Sequence, residues 1–466
     1  MTIKTYQDLL ALGDDEKARM DFVVAAMNEH KSSAKVKTAQ IAADYFAGLN
    51  TTIMNYNKFV YNLYGKAVPD IWSPNHKISC HYYRYFIIQE VLFLLGNGVS
   101  FADKDTKDKL GKDFDRKVVG AAIDALNGGE TYGFWNNGRV DLLPLFDSVS
   151  KAYFAPLKDE ENSSIRAGIR FWQLDDNKPQ RYVLYEEDGY TDYIKRPGEE
   201  MEVLNEKRPY LQVVERSDAT GEAITDGMNY PGFPIVPLYN YGQKSELEGN
   251  QESIDALDLM MSTLVNNIDN AELVYWIIKN AGGMDDLDDQ RFVERLKTMH
   301  VVHLEGEEEV DAHQVNVPFD ASSAAIDKLR SELFDNFMAL DVKNIASGAA
   351  TATEIKAAYE PLNSKTDLFE LQVTDFINGI LALAGIDDTP SYTRSMIVNK
   401  QEEVQNLLTA AEHLSEDYVT RKLLEILGDI DKVDEVMEQK LVDETSRYRN
   451  EPEDGEDTEE NSDSQE

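Results

Sequence analysis

The sequence predicts an α+β fold that is mostly helical. Amphipathic helical patterns occupy most of residues 1–160 and most residues after 243. Residues 161–243 instead alternate β-branched and aromatic residues with polar ones, and turn residues separate the alternating runs. At 466 residues, the chain is long enough for two to four domains, each with its own core.

The N-terminal region, residues 1–160, is predicted to be helical. One helix begins at Asp14 with acids in its first turn. A second covers residues 32–48 and ends on a glycine that suits a C-cap. A third helix, rich in aromatic residues, is predicted over residues 75–95.

Residues 161–243 predict an antiparallel β region. Asp, Asn, Gly and Pro separate its alternating runs, as expected for strands joined by turns. The four clearest runs are Ile169–Leu174, Arg181–Glu186, Leu211–Glu215 and Ile235–Tyr239.

Two long amphipathic helices follow, at 244–272 and 319–342. The apolar stripe of the first comprises Ile254, Leu257, Met261, Leu264, Val265 and Ile268, and that of the second comprises Ile326, Leu329, Leu333, Phe337 and Leu340. Residues 273–318, between the helices, contain the strand-like runs Leu273–Ile278 and Met299–Leu304 around a short helix. We therefore expect a small α/β insertion, from which the chain returns close to where it left.

The segment 347–361 combines a run of small residues with the start of a further helix. Small residues allow a backbone to approach another group closely, so this segment predicts a mobile loop facing a crowded space. The helix continues to about residue 386 and is expected to be interrupted at Pro361 and Gly379. Residues 399–449 predict further amphipathic helices. Residues 451–466 hold nine acids and no bases, which predicts a disordered tail.

The composition excludes several classes of protein. The formal net charge is −40, from 86 acids and 46 bases, which argues against a protein that clamps nucleic acid on its outer surface. The one cysteine, Cys80, permits neither an intrachain disulfide nor a cysteine-based metal site. The N-terminus has no signal-peptide pattern, and the apolar runs are too short to span a bilayer. Folding in the cytoplasm is expected.

No motif indicates catalysis, a cofactor or a metal. His300, His303 and His313 are candidate metal ligands. However, His300 and His303 would point to opposite faces of a strand, and the sequence contains no HExxH motif. GxxxxGK[ST] and GxSxG are both absent from the sequence, so a P-loop ATPase and an α/β-hydrolase are not expected. Gly96-Asn-Gly98 follows a helix and is interpreted as a helix stop.

An acidic cluster in the insertion has two interpretations. Its residues lack the Gly and Glu positions of a calcium-binding EF-hand loop, so a solvated acidic face is one interpretation. A docking patch for a partner protein is the other. The cluster comprises Asp285, Asp286, Asp288 and Asp289. Trp276, in the preceding strand-like run, is typical of packing, or of an interface anchor if the run lies at a subunit seam.

Several sequence blocks, in this order, resemble the phage portal family found in tailed phages of Gram-positive hosts. The blocks are Tyr45–Gly48, Asn75–Ser79, Leu94–Phe101, Phe233–Pro237, Ser245–Glu248, Ser253–Ser262 and Asn344–Gly348. They cover roughly residues 25–385, and the ordered set is more specific than any block in it.

The resemblance implies a portal-type architecture in a ring of about twelve subunits. The wing would comprise residues 1–243, in a helical part (1–160) and an antiparallel β part (161–243). The two-helix stem, 244–272 and 319–342, would bracket the clip, 273–318. A tunnel loop, 343–353, a tunnel helix returning to the wing, 354–387, a crown, 388–450, and the acidic tail, 451–466, would complete the chain.

The resemblance also implies a function and partners. The ring would occupy one vertex of the capsid in the virion, after synthesis in the host cytoplasm, and carry DNA into and out of the head. Its partners would be further copies of the chain, double-stranded DNA bound without sequence preference, the terminase large subunit, the major capsid and scaffolding proteins, and head-completion or adaptor proteins. No cofactor, metal, membrane or catalytic residue is implied.

Two sets of residues would carry this function. Ser347, Thr351 and Thr353 could hydrogen-bond phosphates, and Lys343 would form a basic band around an otherwise acidic channel. The predicted tunnel-loop set is Lys343, Asn344, Ser347, Gly348, Thr351 and Thr353, and the predicted clip docking set is Trp276, Asp285, Asp286, Asp288, Asp289 and Arg291. An acidic intracellular hydrolase that uses Asp and Glu pairs, and a virion protein without a channel, are the alternative functions.

Overall fold

The computed structural model describes residues 4–61, 64–71, 73–216, 223–271, 274–279, 309–314, 319–343, 352–395, 400–428, 433 and 435–439. These residues belong to two units: residues 1–341 with 360–395 form the first, and 342–359 with 396–466 form the second. The first contains both helices and sheets, and the predicted mostly helical α+β class is confirmed. None of the helices in the described ranges is long and apolar enough to cross a bilayer.

The N-terminal part of the first unit consists of short and medium helices. They are α1 (Tyr6–Leu10), α2 (Glu16–Ser32), α3 (Ala34–Phe46), α4 (Thr51–Asn55), α5 (Tyr82–Leu95), α6 (Thr106–Leu110) and α7 (Phe114–Gly128). Side chains of Asp15, Ser33 and Asn50 cap α2, α3 and α4 by accepting a backbone N–H three residues later. The prediction that a helix starts at residue 75 was wrong, because α5 begins at Tyr82 and residues 75–81 have no regular secondary structure.

The sheets are antiparallel and begin earlier in the chain than predicted. Strands in the range predicted to be helical are β1 (Phe59–Tyr61), β2 (Ala67–Pro69), β3 (Val99–Ser100), β4 (Glu130–Trp135), β5 (Val140–Leu142) and β6 (Tyr153–Lys158). The strands that follow are β7 (Ile165–Trp172), β8 (Gln180–Glu186), β9 (Gly189–Lys195), β10 (Met201–Arg208), β11 (Leu211–Arg216), β12 (Ala223–Met228) and β13 (Ile235–Tyr239). The main sheet has the order β10-β9-β8-β7-β6, and a smaller sheet has the order β13-β4-β5.

The remaining elements include the long helices. They are α8 (Gln251–Ala271), β14 (Val274–Lys279), β15 (Glu309–Gln314), α9 (Phe319–Asn336), α10 (Ala352–Ala384), β16 (Ser391–Tyr392), α11 (Lys400–Ala410) and α12 (Glu416–Leu427). The second of these, β14, pairs with β15, a strand that was not predicted; the predicted strand Met299–Leu304 lies outside the described residues. The expected interruption of α10 was wrong, since the helix is continuous through Pro361 and Gly379. Pro361 is exposed, so water can satisfy the carbonyl that it frees.

Three hydrophobic cores lie in the described part of the first unit. In the largest, α5 and α7 pack with α8, α9 and α10, and Phe86, Val118, Leu257 and Phe376 are all buried there. In the second, α2 packs on the main sheet. In the third, Tyr132 of β4 packs on Phe154 of β6. Where β4 packs against α10 there is no room for a side chain at Gly133, because a Cβ there would lie 2.7 Å from the Phe376 ring.

Candidate functional site

Helices α8 and α9 stand before and after the paired strands β14 and β15 in the chain. The two helices pack against each other, and Ile254, Leu257, Leu333 and Phe334 are buried at their base. Val274 is opposite Gln314 in this strand pair, so the strand ends that are nearest in sequence to α8 and α9 lie side by side. The helix pair carries eight acids and two bases, and α8 carries no base at all.

Three polar side chains along α8, here named the polar ladder, hold the irregular segment that precedes α5. The side chains of Asp258, Ser262 and Asn266 accept the backbone N–H groups of Cys80, Ile78 and His76 at 2.9, 2.9 and 2.7 Å. Because the three acceptors are four residues apart, they lie on one face of the helix. Their spacing is visible in the sequence, but nothing local indicates the distant segment that they bind.

Asp258 also affects the one cysteine of the chain. The Cys80 side chain is half-buried beside this carboxylate. Burial, together with the Asp258 charge, raises the pKa of the Cys80 thiol to about 12.

A second polar group joins α3 and α4 to the start of α8. The Asn50 amide donates to Asp255 at 2.8 Å and to Asp258 at 2.9 Å, and the Tyr45 hydroxyl donates to Asp255 at 2.5 Å. Burial and the Asp255 hydrogen bond raise the pKa of Tyr45. Neutral donors thus satisfy the inner carboxylates of α8 without an added positive charge.

The turn that ends α9 is fixed to α5. The Gln89 side chain donates to the Leu340 carbonyl and accepts the Leu340 N–H, both at 2.9 Å. Arg330 pairs with Asp341 at 2.7 Å, and Phe86 stacks on Phe337 with 4.4 Å between ring centroids. The chain therefore reaches residue 341 from a constrained position.

A buried ion triad connects α5, α10 and the residues before α8. The Lys365 ammonium lies 2.7 Å from both Glu90 and Glu246. Burial raises the pKa of the Glu90 carboxyl despite the opposing effect of Lys365, while the two carboxylates outweigh burial and raise the pKa of Lys365. The shared ammonium offsets the cost of burying Glu90 and of partly burying Glu246.

These contacts position helices and the segments between them. Among the described residues, no group of three or more His, Cys, Asp or Glu side chains is placed to hold a metal ion. The polar side chains near the helix pair bond to backbone or to one another, and they fix where helices start and end.

The profile of the family "Phage portal protein, SPP1 Gp6-like" matches residues 29–447. The chain belongs to this phage portal family. The resemblance found in the sequence is therefore confirmed, and this portal protein is a structural component of a phage capsid at its head–tail connection.

Individual relatives agree with the family assignment. The portal protein of Clostridium phage phiCD119 is 25% identical over 350 residues, covering 68% of this chain and 73% of that protein. The portal protein of Bacillus phage SPP1 is 23% identical over 381 residues, covering 75% and 72% respectively. A chain from the solved virion of a native gene transfer agent particle aligns with a TM-score of 0.41 and 12% identity, over 74% of this chain and 89% of that one.

The predicted tunnel-loop residues are only partly described in this portal protein. Lys343 and Thr353 are both exposed and flank the undescribed segment, Thr353 being in the first turn of α10. Asn344, Ser347, Gly348 and Thr351 lie outside the described residues.

The predicted clip residues are described at one position. Trp276 is in β14, opposite Ala312. Asp285, Asp286, Asp288, Asp289 and Arg291 lie outside the described residues, as do His300, His303 and the acidic tail. The sequence did not point to Gln89, Asn50 or Lys365, whose partners are all distant in the chain.

Proposed function

We propose that about twelve copies of this portal protein close into a ring at one capsid vertex and that double-stranded DNA passes through its channel during packaging and exit. In this assignment the α8–α9 pair is the stem, residues 273–318 are the clip, and 343–353 form the tunnel loop. Residues 1–243 are the wing, 354–387 the tunnel helix and 388–450 the crown.

The observation that carries the proposal is the fixed exit from the helix pair. Gln89 and Arg330 hold residues 340–341, from which the chain continues into the small-residue segment. A loop that contacts moving DNA needs a rigid support. Without one, the loop would shift together with the DNA and exert no force on it.

The charge of the helix pair supports the same function. Duplex DNA carries about one negative charge per 1.7 Å of its axis, so a broadly basic channel would bind it tightly. A stem with eight acids and two bases would let DNA slide. Lys343, repeated around the ring, would be a local point of attraction.

The same assignment gives each region a partner. The clip would dock the terminase large subunit during packaging and head-completion or adaptor proteins afterwards. The wing would contact the major capsid and scaffolding proteins.

Imaging of the purified full chain tests the ring directly. Negative-stain micrographs are expected to show rings with a central hole, and native mass measurement should give an integral number of copies near twelve. A uniform population of monomers or small compact oligomers would contradict the proposal.

A further inference from the structure

The β1–β2 hairpin projects apolar side chains into solvent from the first unit. Phe59, Tyr61, Tyr64 and Ile71 have exposed fractions of 59%, 76%, 88% and 79%. All three residues of β1 are exposed, so side chains on both faces of the strand reach solvent. We name this feature the arm: strands Phe59–Tyr61 and Ala67–Pro69 with Tyr64 and Ile71. A soluble monomer rarely exposes so contiguous an apolar group.

The root of the arm is anchored firmly. Lys58 donates to the Pro74 carbonyl at 2.6 Å, and Asp70 accepts the Ser73 N–H at 3.0 Å. His76 then meets Asp269, near the end of α8, at 2.5 Å, and the polar ladder holds the residues that follow. The arm is thus a fixed projection beside the distal end of α8.

The charge of the arm region is opposite to that of the chain. Residues 56–77 contain three lysines, Lys58, Lys66 and Lys77, and one acid, Asp70, whereas the whole chain has a net charge of −40. A basic apolar surface fits an acidic apolar one. The chain offers one where α8 ends and α9 begins: Ile268 and Phe319 are 44% and 53% exposed, and Asp269 and Asp320 are exposed next to them. We name these four residues the distal patch.

We propose that the arm of each copy docks on the distal patch of the neighbouring copy. This inference rests on the proposed ring. A ring is built from head-to-tail contacts, which need two different surfaces on every copy, and the arm and distal patch are such a pair. Rotation about the ring axis keeps each residue at its own height. The root of the arm is bonded to Asp269 of its own chain. If the helix pair runs along the ring axis, the arm of one copy therefore contacts the next copy at the height of that copy's Asp269.

Substitution of the arm tests its role in assembly. The triple variant Phe59→Ser/Tyr61→Ser/Ile71→Ser changes only exposed side chains, so circular dichroism and the thermal midpoint of the subunit should match those of the unaltered chain. A matched control is Val149→Ser/Leu174→Ser, which alters residues 91% and 85% exposed elsewhere. Sedimentation and mass photometry give the protein concentration at which half of the subunits are assembled. This concentration should be at least tenfold higher for the triple variant than for the unaltered chain, and unchanged for the control.

A disulfide tests the docking position. Two cysteines join only when their Cα atoms are within about 7 Å. Tyr61→Cys/Phe319→Cys should give covalent chains of two or more copies on mild oxidation, while Leu174→Cys/Phe319→Cys should not.

The outcomes separate this inference from the proposed function. If the unaltered chain forms rings and the triple variant assembles equally well, docking of the arm is refuted and the ring stands. Exclusive cross-linking of the arm within its own chain, or to capsid protein or DNA in assembled heads, also refutes it. If the unaltered chain forms no ring, both proposals fail.

Discussion

Gln89 uses both ends of its side-chain amide on the backbone of Leu340, which lies 251 residues later in the chain. The amide nitrogen donates to the carbonyl and the amide oxygen accepts the N–H, each at 2.9 Å. One side chain therefore sets where the chain leaves α9. This contact joins α5 to the turn after α9 without any charge.

Replacement of Gln89 by Ala should loosen this exit. Two backbone groups lose their partner, and we expect a loss of roughly 1 to 3 kcal/mol in unfolding free energy. Hydrogen exchange at residues 337–343 should also become faster. Gln173→Ala is the control, because the Gln173 side chain bonds only within its own turn region, to the carbonyls of residues 176 and 178 and to the Gln180 side chain. Equal exchange in both variants would show that the clamp does not position the exit.

Replacement of Lys365 by Met should leave the buried Glu90 and the partly buried Glu246 without a cation. We expect the free energy of unfolding to fall by roughly 3 to 5 kcal/mol at pH 8. The loss should be smaller at pH 5, because the raised pKa of Glu90 lets it bind a proton and become neutral. Urea midpoints at the two pH values measure the difference. Lys328→Met, at a position 77% exposed, should change the midpoint little at either pH.

Asp124 should make stability fall as pH rises. Burial, with the Asp147 charge, raises the pKa of its carboxyl to about 7 from 3.8. The folded state therefore binds a proton more tightly than the unfolded state, and this contribution is lost as pH rises from about 4 to about 7. The free energy of unfolding of Asp124→Asn should exceed that of the unaltered chain by roughly 2 to 4 kcal/mol at pH 8, and by little at pH 4.

A second residue that lines the cavity around Asp124 provides a control for that titration. It has a volume of about 410 Å³, and Asp147 and Lys117 also line it. Asp147→Asn should lower the Asp124 pKa only slightly, since burial is the larger cause. A pH profile of Asp124→Asn parallel to that of the unaltered chain would contradict the assignment.

Replacement of Lys343 by Glu should reduce the DNA loaded per head, by roughly twofold or more, while rings still assemble, because the basic band becomes repulsive to phosphate. DNA content per purified head, with ring yield measured in parallel, is the test. Lys178→Glu, on an exposed turn next to β8, makes the same charge change and should package normally. Normal filling with Lys343→Glu would remove the role assigned to this residue.

Local periodicity explains which parts of the fold could be predicted. Ile254 and Leu257 repeat at helical spacing, and the helix they predict is present. Residues 75–81 could not be predicted in the same way, because Asp258, Ser262 and Asn266, about 180 residues distant, satisfy their backbone. Strand β15 reads Glu-Val-Asp-Ala-His-Gln, and such a polar run becomes a strand only through its pairing with β14. The candidate site divides likewise: the helix–insertion–helix order is local, whereas its clamps join distant residues.

The surroundings of Cys80 have a practical consequence. A thiol must ionise before it reacts with maleimide or iodoacetamide reagents, and one with a pKa of about 12 is almost entirely protonated at neutral pH. Fluorophores or spin labels can therefore be attached to a cysteine introduced on the surface while the native one stays in place. Spectroscopic distance measurements between labelled subunits then need no cysteine-free background, and the hydrogen bond between Asp258 and the Cys80 backbone remains undisturbed.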